Sequence, residues 1–165
     1  FCFSIFSSIS QTNEDVPLNN MVINEIPKPI SSLIFEDFSG NEINLNNYHG
    51  RLVIINFWAT WCAPCMKEMP SLDKLYQDNN FKNLQIFAVN MEQSNTLKIK
   101  KFFTDLNIQK LEIFFDPNLN FVKEFNLRGM PTTVLINKKG EEFAKIIGET
   151  NFQDKKFLKW LSKYD

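Results

Sequence analysis

Residues Leu52 to Trp58 read LVIINFW, an almost unbroken apolar run. A stretch of that length without polar alternation is what a strand covered on both faces requires. Directly after it come Ala59-Thr60-Trp61-Cys62 and then a stretch to about Gln77 in which Leu72, Leu75 and Tyr76 recur at helical spacing. A buried strand that feeds a helix is the unit from which α/β sheets are built.

The rest of the chain repeats that alternation. Leu84 to Asn90 (LQIFAVN) is the next strand. Thr96 to Leu106 follows as a helix with Leu97, Phe102, Phe103 and Leu106 on its apolar side. Leu111 to Phe115 is a short strand, and Asp116-Pro117 opens a helix through Phe125. Thr132 to Ile136 and Glu142 to Ile147 are strands joined around Lys139-Gly140, and a last helix covers Phe152 to Ser162 with Phe157, Leu158 and Leu161 inward. Upstream, Leu33-Ile34-Phe35 and Ile43-Asn44-Leu45 flank the turn signal Ser39-Gly40-Asn41, which predicts a β-hairpin. The early strands should be parallel and central. Ligand chemistry in such sheets gathers at the carboxyl ends of the strands.

The 165 residues have room for one domain and a short tail, and 44% hydrophobic content with 17 Phe can fill its core. Lys+Arg 18 against Asp+Glu 19 leaves no basic excess, which argues against a nucleic-acid partner. Residues 1–28 read as a signal or anchor remnant plus linker, and 29–165 as the folded domain. Phe1 to Ser10 (FCFSIFSSIS) is too short to span a bilayer, which takes about 20 residues. It resembles the end of a secretory signal, with Ser8 and Ser10 at small-residue cleavage positions; a frayed apolar terminus is the alternative. Cys2 lies in this stretch, either lost with the signal, a free thiol, or a lipidated anchor. Gln11 to Lys28 is polar, carries Pro17 and Pro27, and reads as linker.

Cys62 and Cys65 remain. A Cys-x-x-Cys pair is a redox couple or half a metal site, and structural zinc needs four ligands where only these two and the lone His49 are at hand. No metal or other cofactor is called for. Disulfide exchange needs a reachable thiolate with a second thiol behind it. Cys62 opens the helix, where unpaired N–H groups and the helix dipole favour negative charge. Cys65 follows one turn later on the same side. Pro64 sits in the first turn, where its missing N–H costs nothing.

Asn56-Phe57-Trp58-Ala59-Thr60-Trp61-Cys62-Ala63-Pro64-Cys65 resembles the active-site stretch of thioredoxins. Glu68-Met69-Pro70 extends it as in the TlpA/ResA/CcmG-type branch of extracytoplasmic thioredoxin-like proteins. A second match, Leu127-Arg128-Gly129-Met130-Pro131-Thr132-Thr133, resembles the loop that carries the family's cis-proline. The resemblance covers about Pro29 to Leu161. It implies a thioredoxin-like fold with a central mixed sheet flanked by helices, an N-terminal hairpin (Ile34 to Leu45) and a central helix–strand insertion (Thr96 to Phe115). It also implies Cys62 as attacking nucleophile and Cys65 as resolving thiol, with Trp61, Ala63, Pro64, Met130 and Pro131 facing the substrate. For Trp58, plain core packing is the expectation.

Two positions depart from the pattern. Many thioredoxins bury a carboxylate where this chain has Asn56, which cannot accept the Cys65 proton. Glu92 is the candidate replacement base, although it stands one residue out of register with the acid of ResA-type members, and a solvated loop carboxylate is the competing reading. Glu68 is read as a partner contact or an ordinary exposed helix residue. His49 is read as a turn residue before Gly50.

The resemblance implies a reductant of protein disulfides outside the cytoplasm, in the periplasm or on the outer face of a bacterial membrane. Such reductants serve cytochrome c maturation, copper-site assembly or isomerase reduction. Strong oxidants of this fold carry a His between the cysteines, and Ala63-Pro64 offers none. Protein disulfides are the expected substrates, a membrane electron donor the expected partner, and a membrane tether through the N-terminus stays open. The alternatives are a general protein disulfide oxidase and a copper-handling module, the latter lacking the wider cysteine spacing and downstream His of its kind. A peroxidase would need Thr-x-x-Cys, and Thr60 stands only two residues before Cys62.

Overall fold

The structure, a computed structural model, describes residues 16–92 and 96–165; the signal-like segment, Cys2 included, lies outside the described residues. In chain order the elements are β1 (Met21–Pro29), β2 (Ile34–Asp37), β3 (Glu42–Asn44), β4 (Leu52–Trp58), α1 (Ala63–Gln77), β5 (Leu84–Asn90), α2 (Thr96–Asp105), β6 (Ile113–Phe115), α3 (Asn120–Glu124), β7 (Thr132–Ile136), β8 (Glu141–Ile147) and α4 (Lys155–Leu161). All eight strands belong to one sheet of order β1-β8-β7-β4-β5-β6-β2-β3. β4, β5 and β6 run parallel, and the other pairings are antiparallel. The α/β class, the mixed sheet, the β2–β3 hairpin and the α2–β6 insertion are as the sequence implies.

Every residue of β4 is buried, because its alternate side chains feed two cores. Leu52, Ile54 and Trp58 face Met69, Leu72 and Leu75 of α1 together with residues of α2 and α4. Val53, Ile55 and Phe57 face Phe121 of α3 and Phe125 just beyond it, with Phe87 and Val89 of β5 beside them. Burying each such side chain contributes about 1.5–3 kcal/mol. Trp58 is the core residue expected, stacked on Phe102 with ring centroids 4.6 Å apart. Asn56 is the one polar side chain in β4, and by the strand's alternation it points toward α1.

Some boundaries differ from the sequence reading. Residues 21–28, read as linker, belong to β1, which pairs with β8 from Met21↔Ile146 to Pro29↔Glu141. Pro27 and Pro29 are tolerated because β1 is an edge strand, where an N–H can be missing without breaking a ladder. In α2 it is Ile99 and Phe102 that are buried, while Leu97 is 78% exposed. α3 begins only at Asn120, since Asp116 caps it by accepting the Asn120 and Phe121 N–H groups at 2.9 and 2.8 Å. In α4 Trp160 is buried along with Phe157 and Leu161, and Asp154 caps the helix start.

Candidate active site

Cys62 follows β4 at its carboxyl end and is the N-cap of α1. Its sulfur accepts the backbone N–H of Cys65 at 3.3 Å, and Pro64 stands in the first turn. Cys62 and Cys65 are joined as a disulfide with 5.3 Å between their Cα atoms. Cys65 is fully buried, whereas Cys62 retains 4% exposure at the rim. Around that rim Trp61, Ala63, Pro64 and Met66 are exposed, Trp61 by 68%. Met130 is half-buried and packs against the core that holds both cysteines, and the Met130-Pro131 peptide bond is cis. The structure therefore gathers Cys62, Cys65, Trp61, Ala63, Pro64 and Met130-Pro131 at one end of the sheet. His49 is elsewhere. It precedes β4, roughly 20 Å of strand away from the cysteines, with its imidazole against Gly140 in the β7–β8 turn.

Glu92 lies just past β5, where its carboxylate accepts the backbone N–H of Thr60 and, at 2.8 Å, the Thr60 hydroxyl. Asn90 donates to it at 3.4 Å, and Lys98 pairs with it at 3.6 Å. Burial opposes its charge, but the Thr60 and Asn90 bonds and Lys98 outweigh burial and hold the carboxyl below its ordinary range. Glu92 thus clamps the turn leading into Cys62. Its two oxygens divide the task, Oε2 accepting the Thr60 N–H and Oε1 the Thr60 hydroxyl.

Glu68 is not the exposed helix residue anticipated. Only 1% of it is exposed, and it stands one turn beyond Cys65 on the buried face of α1. Asn56 Nδ2 donates to its Oε1 at 2.7 Å, and the Thr150 N–H donates to its Oε2 at 3.1 Å. Burial pushes its pKa up to about 7, against the two hydrogen bonds and with Glu149 adding to the rise. The buried carboxylate missing from position 56 is therefore present, carried by the helix and bonded to the Asn that stands in the strand. The sequence held one usable signal: Cys65, Glu68 and Leu72 fall at i, i+3 and i+7, one face of a helix. Among the described residues no group of three or more His, Cys, Asp or Glu could hold a metal ion, and no helix is long and apolar enough to cross a membrane.

A parallel-centred sheet, a Cys-x-x-Cys pair at a helix start and a cis-proline loop beside it define a thiol–disulfide oxidoreductase of thioredoxin-like fold. By sequence, residues 26–141 match the AhpC/TSA family, and the chain belongs to that family. It is 32% identical over 136 residues to the thiol-disulfide oxidoreductase ResA of Bacillus thuringiensis subsp. konkukian, covering 82% of this chain and 78% of that one. ResA of Halalkalibacterium halodurans is 36% identical over 67% of this chain and 61% of its own. Among solved structures, StoA from Bacillus subtilis superposes with a TM-score of 0.66 at 27% identity, covering 81% of this chain and 98% of that one. A DsbE-type thiol:disulfide interchange protein from Chlorobium tepidum shares the fold, with a TM-score of 0.69 at 24% identity, over 82% and 96% of the two chains.

Proposed function

We propose that this protein reduces protein disulfides outside the cytoplasm, with Cys62 as nucleophile and Cys65 as resolving thiol. The observation that carries the reading is the placing of Cys62 at the α1 N-cap, its sulfur facing the Cys65 N–H. In the dithiol form that N–H and the helix dipole favour a Cys62 thiolate. The thiolate attacks one sulfur of the substrate disulfide, forming a mixed disulfide and expelling the other substrate sulfur as thiolate. Glu68 then takes the proton of Cys65. The Cys65 thiolate attacks the Cys62 sulfur, closes Cys62–Cys65 and releases the second substrate thiolate. Two electrons pass from the protein dithiol to the substrate. The exposed Trp61, Ala63 and Pro64, with the Met130-Pro131 loop, form the surface on which an extended substrate segment lies.

The direction follows from the spacer. Ala63-Pro64 brings no charged side chain that would stabilise the reduced form as strong oxidants do. Turnover in an oxidising compartment then needs a membrane donor that re-reduces the pair. The test is the midpoint of Cys62/Cys65 against glutathione. It should lie near thioredoxin's ~−270 mV, and Cys65→Ala should accumulate mixed disulfides through Cys62 with few partners. A midpoint near the ~−120 mV of strong oxidants, with many newly exported proteins trapped, would make it an oxidase.

A further inference from the structure

Beneath the cysteine pair, sheet and helix share a buried polar cluster in which the strand contributes an amide. Asn56 is fully buried, and both hydrogens of its Nδ2 are used, one on Glu68 Oε1 at 2.7 Å and the other on Thr133 Oγ1 at 2.9 Å. Its Oδ1 is buried with no hydrogen-bond partner. An amide whose oxygen is bonded to nothing takes its orientation from its nitrogen end alone. Turned over, it would set an oxygen lone pair against Glu68 whenever that group is ionised, the form that only accepts. As it stands, its two N–H groups meet two oxygens. The second of these belongs to Thr133, the cross-strand partner of Asn56 in the β4–β7 register, so backbone pairing fixes where that hydroxyl lies.

We propose that Asn56, held in orientation by the Thr133 hydroxyl, is the positioning residue that sets the proton affinity of Glu68. The inference rests on the reading that Glu68 takes the Cys65 proton. The other groups around Glu68 leave Asn56 as the adjustable one. From the β8–α4 loop come the Thr150 N–H, a backbone donor that every residue but proline would supply, and the charge of Glu149. From α1 come Cys65, one turn back, and Lys67, whose ammonium pairs at the surface with Glu149 at 3.4 Å. Burial alone would keep Glu68 protonated, and an acid so held could not accept a proton. The Asn56 N–H offsets burial without adding a second charge, which an acid at position 56 would bring. Helix and strand thus divide the task, the helix supplying the acid and the strand its tuning.

The experiment is a 13C-carboxyl NMR titration of Glu68 in the reduced protein, its signal identified by loss in Glu68→Gln. In Asn56→Leu, Glu68 should bind its proton at least tenfold more tightly. Thr133→Val, which frees the amide to turn, should tighten binding severalfold, and Thr133→Ser should restore the wild-type value. The pH at which Cys65 resolves a preformed mixed disulfide should move in the same order. Glu68 titrating unchanged in both Asn56→Leu and Thr133→Val would overturn the proposal. If Asn56→Leu fails to fold, the Thr133→Val and Thr133→Ser pair decides alone, equal titrations overturning it. A resolution step whose pH dependence survives Glu68→Gln would instead remove the proton role of Glu68, while the titrations still report whether Asn56 sets its affinity.

Discussion

Cys65 donates its backbone N–H to the sulfur of Cys62 at 3.3 Å, so the residue proposed to resolve the mixed disulfide is also placed to stabilise a thiolate on the proposed nucleophile. The donation is one-way. Cys62 sits at the helix start with some exposure, while Cys65 is enclosed.

This asymmetry predicts the order of alkylation. Brief iodoacetamide treatment of the reduced protein below neutral pH should label Cys62 far faster than Cys65, as read by mass mapping. Preferential labelling of Cys65 would reverse the two roles.

Glu68 gives the kinetics a pH signature. With its pKa raised to about 7 by burial, it could serve as the proposed base to a growing extent as pH rises through neutrality. Resolution by Cys65 should therefore accelerate as pH rises through about 7, while attack by Cys62 should not share that Glu68 inflection. Glu68→Gln should slow resolution by roughly 100-fold at pH 8 and leave the first step nearly intact. Stopped-flow traces with both steps equally affected would point to a structural effect.

How far the sequence reaches is clear from the residues around this site. β4 and β5 were legible to the residue because their apolar runs are local, and the cysteine pair and proline loop because each is a short motif. Glu68 was not, since its burial depends on Asn56, 12 positions earlier, and Thr150, 82 positions later. A carboxylate on a helix reads as solvated until the elements covering it are placed. β1 escaped for a related reason. Its prolines and polar residues resemble linker, and only β8 makes it a strand. Leu97 and Ile99 exchanged places because the apolar positions of α2 fit more than one stripe.

The same carboxyl predicts how stability depends on pH. Its folded pKa, about 7, lies above the ordinary 4.5 of a solvated glutamate. The unfolded chain thus loses this proton first. Stability from this group is fully present below about pH 4.5 and is lost as pH rises through 7. The difference amounts to roughly 3 kcal/mol. In Glu68→Gln that pH dependence should vanish, so urea unfolding should show the variant gaining on the wild type between pH 4.5 and 7.5. A constant offset across that window would mean Glu68 stays ionised throughout.

Glu92 should behave as a clamp. Glu92→Ala removes a charged acceptor from the Thr60 N–H and hydroxyl, which should cost about 1.5–3 kcal/mol in urea unfolding. Resolution by Cys65 at neutral pH should change by less than about twofold if Glu68 is the base. Slowing comparable to that of Glu68→Gln would return the base to Glu92.

A second buried carboxylate supplies the contrast that separates folding from chemistry. Asp73 lies on α1 two turns from Cys65, with 3% exposure. One oxygen accepts the N–H groups of Lys110 and Leu111, each at 2.8 Å, and the other accepts Gln109 N–H at 3.0 Å and Gln77 Nε2 at 2.7 Å. It therefore satisfies three consecutive backbone donors in the segment that leads from α2 into β6. No secondary-structure ladder does so there, and a buried N–H left without a partner costs about 1–3 kcal/mol. Asp73→Ala should lower stability by roughly 3–4 kcal/mol, less than three such penalties because Gln109 and Lys110 reach water. Hydrogen exchange should quicken first at Leu111. The Cys62/Cys65 midpoint and the pH at which Cys65 resolves should stay where they are, since Asp73 touches neither Glu68 nor Asn56. If the midpoint moved with Asp73→Ala as far as with Glu68→Gln, the carboxylate beneath the cysteines would be acting through helix stability, not through its proton.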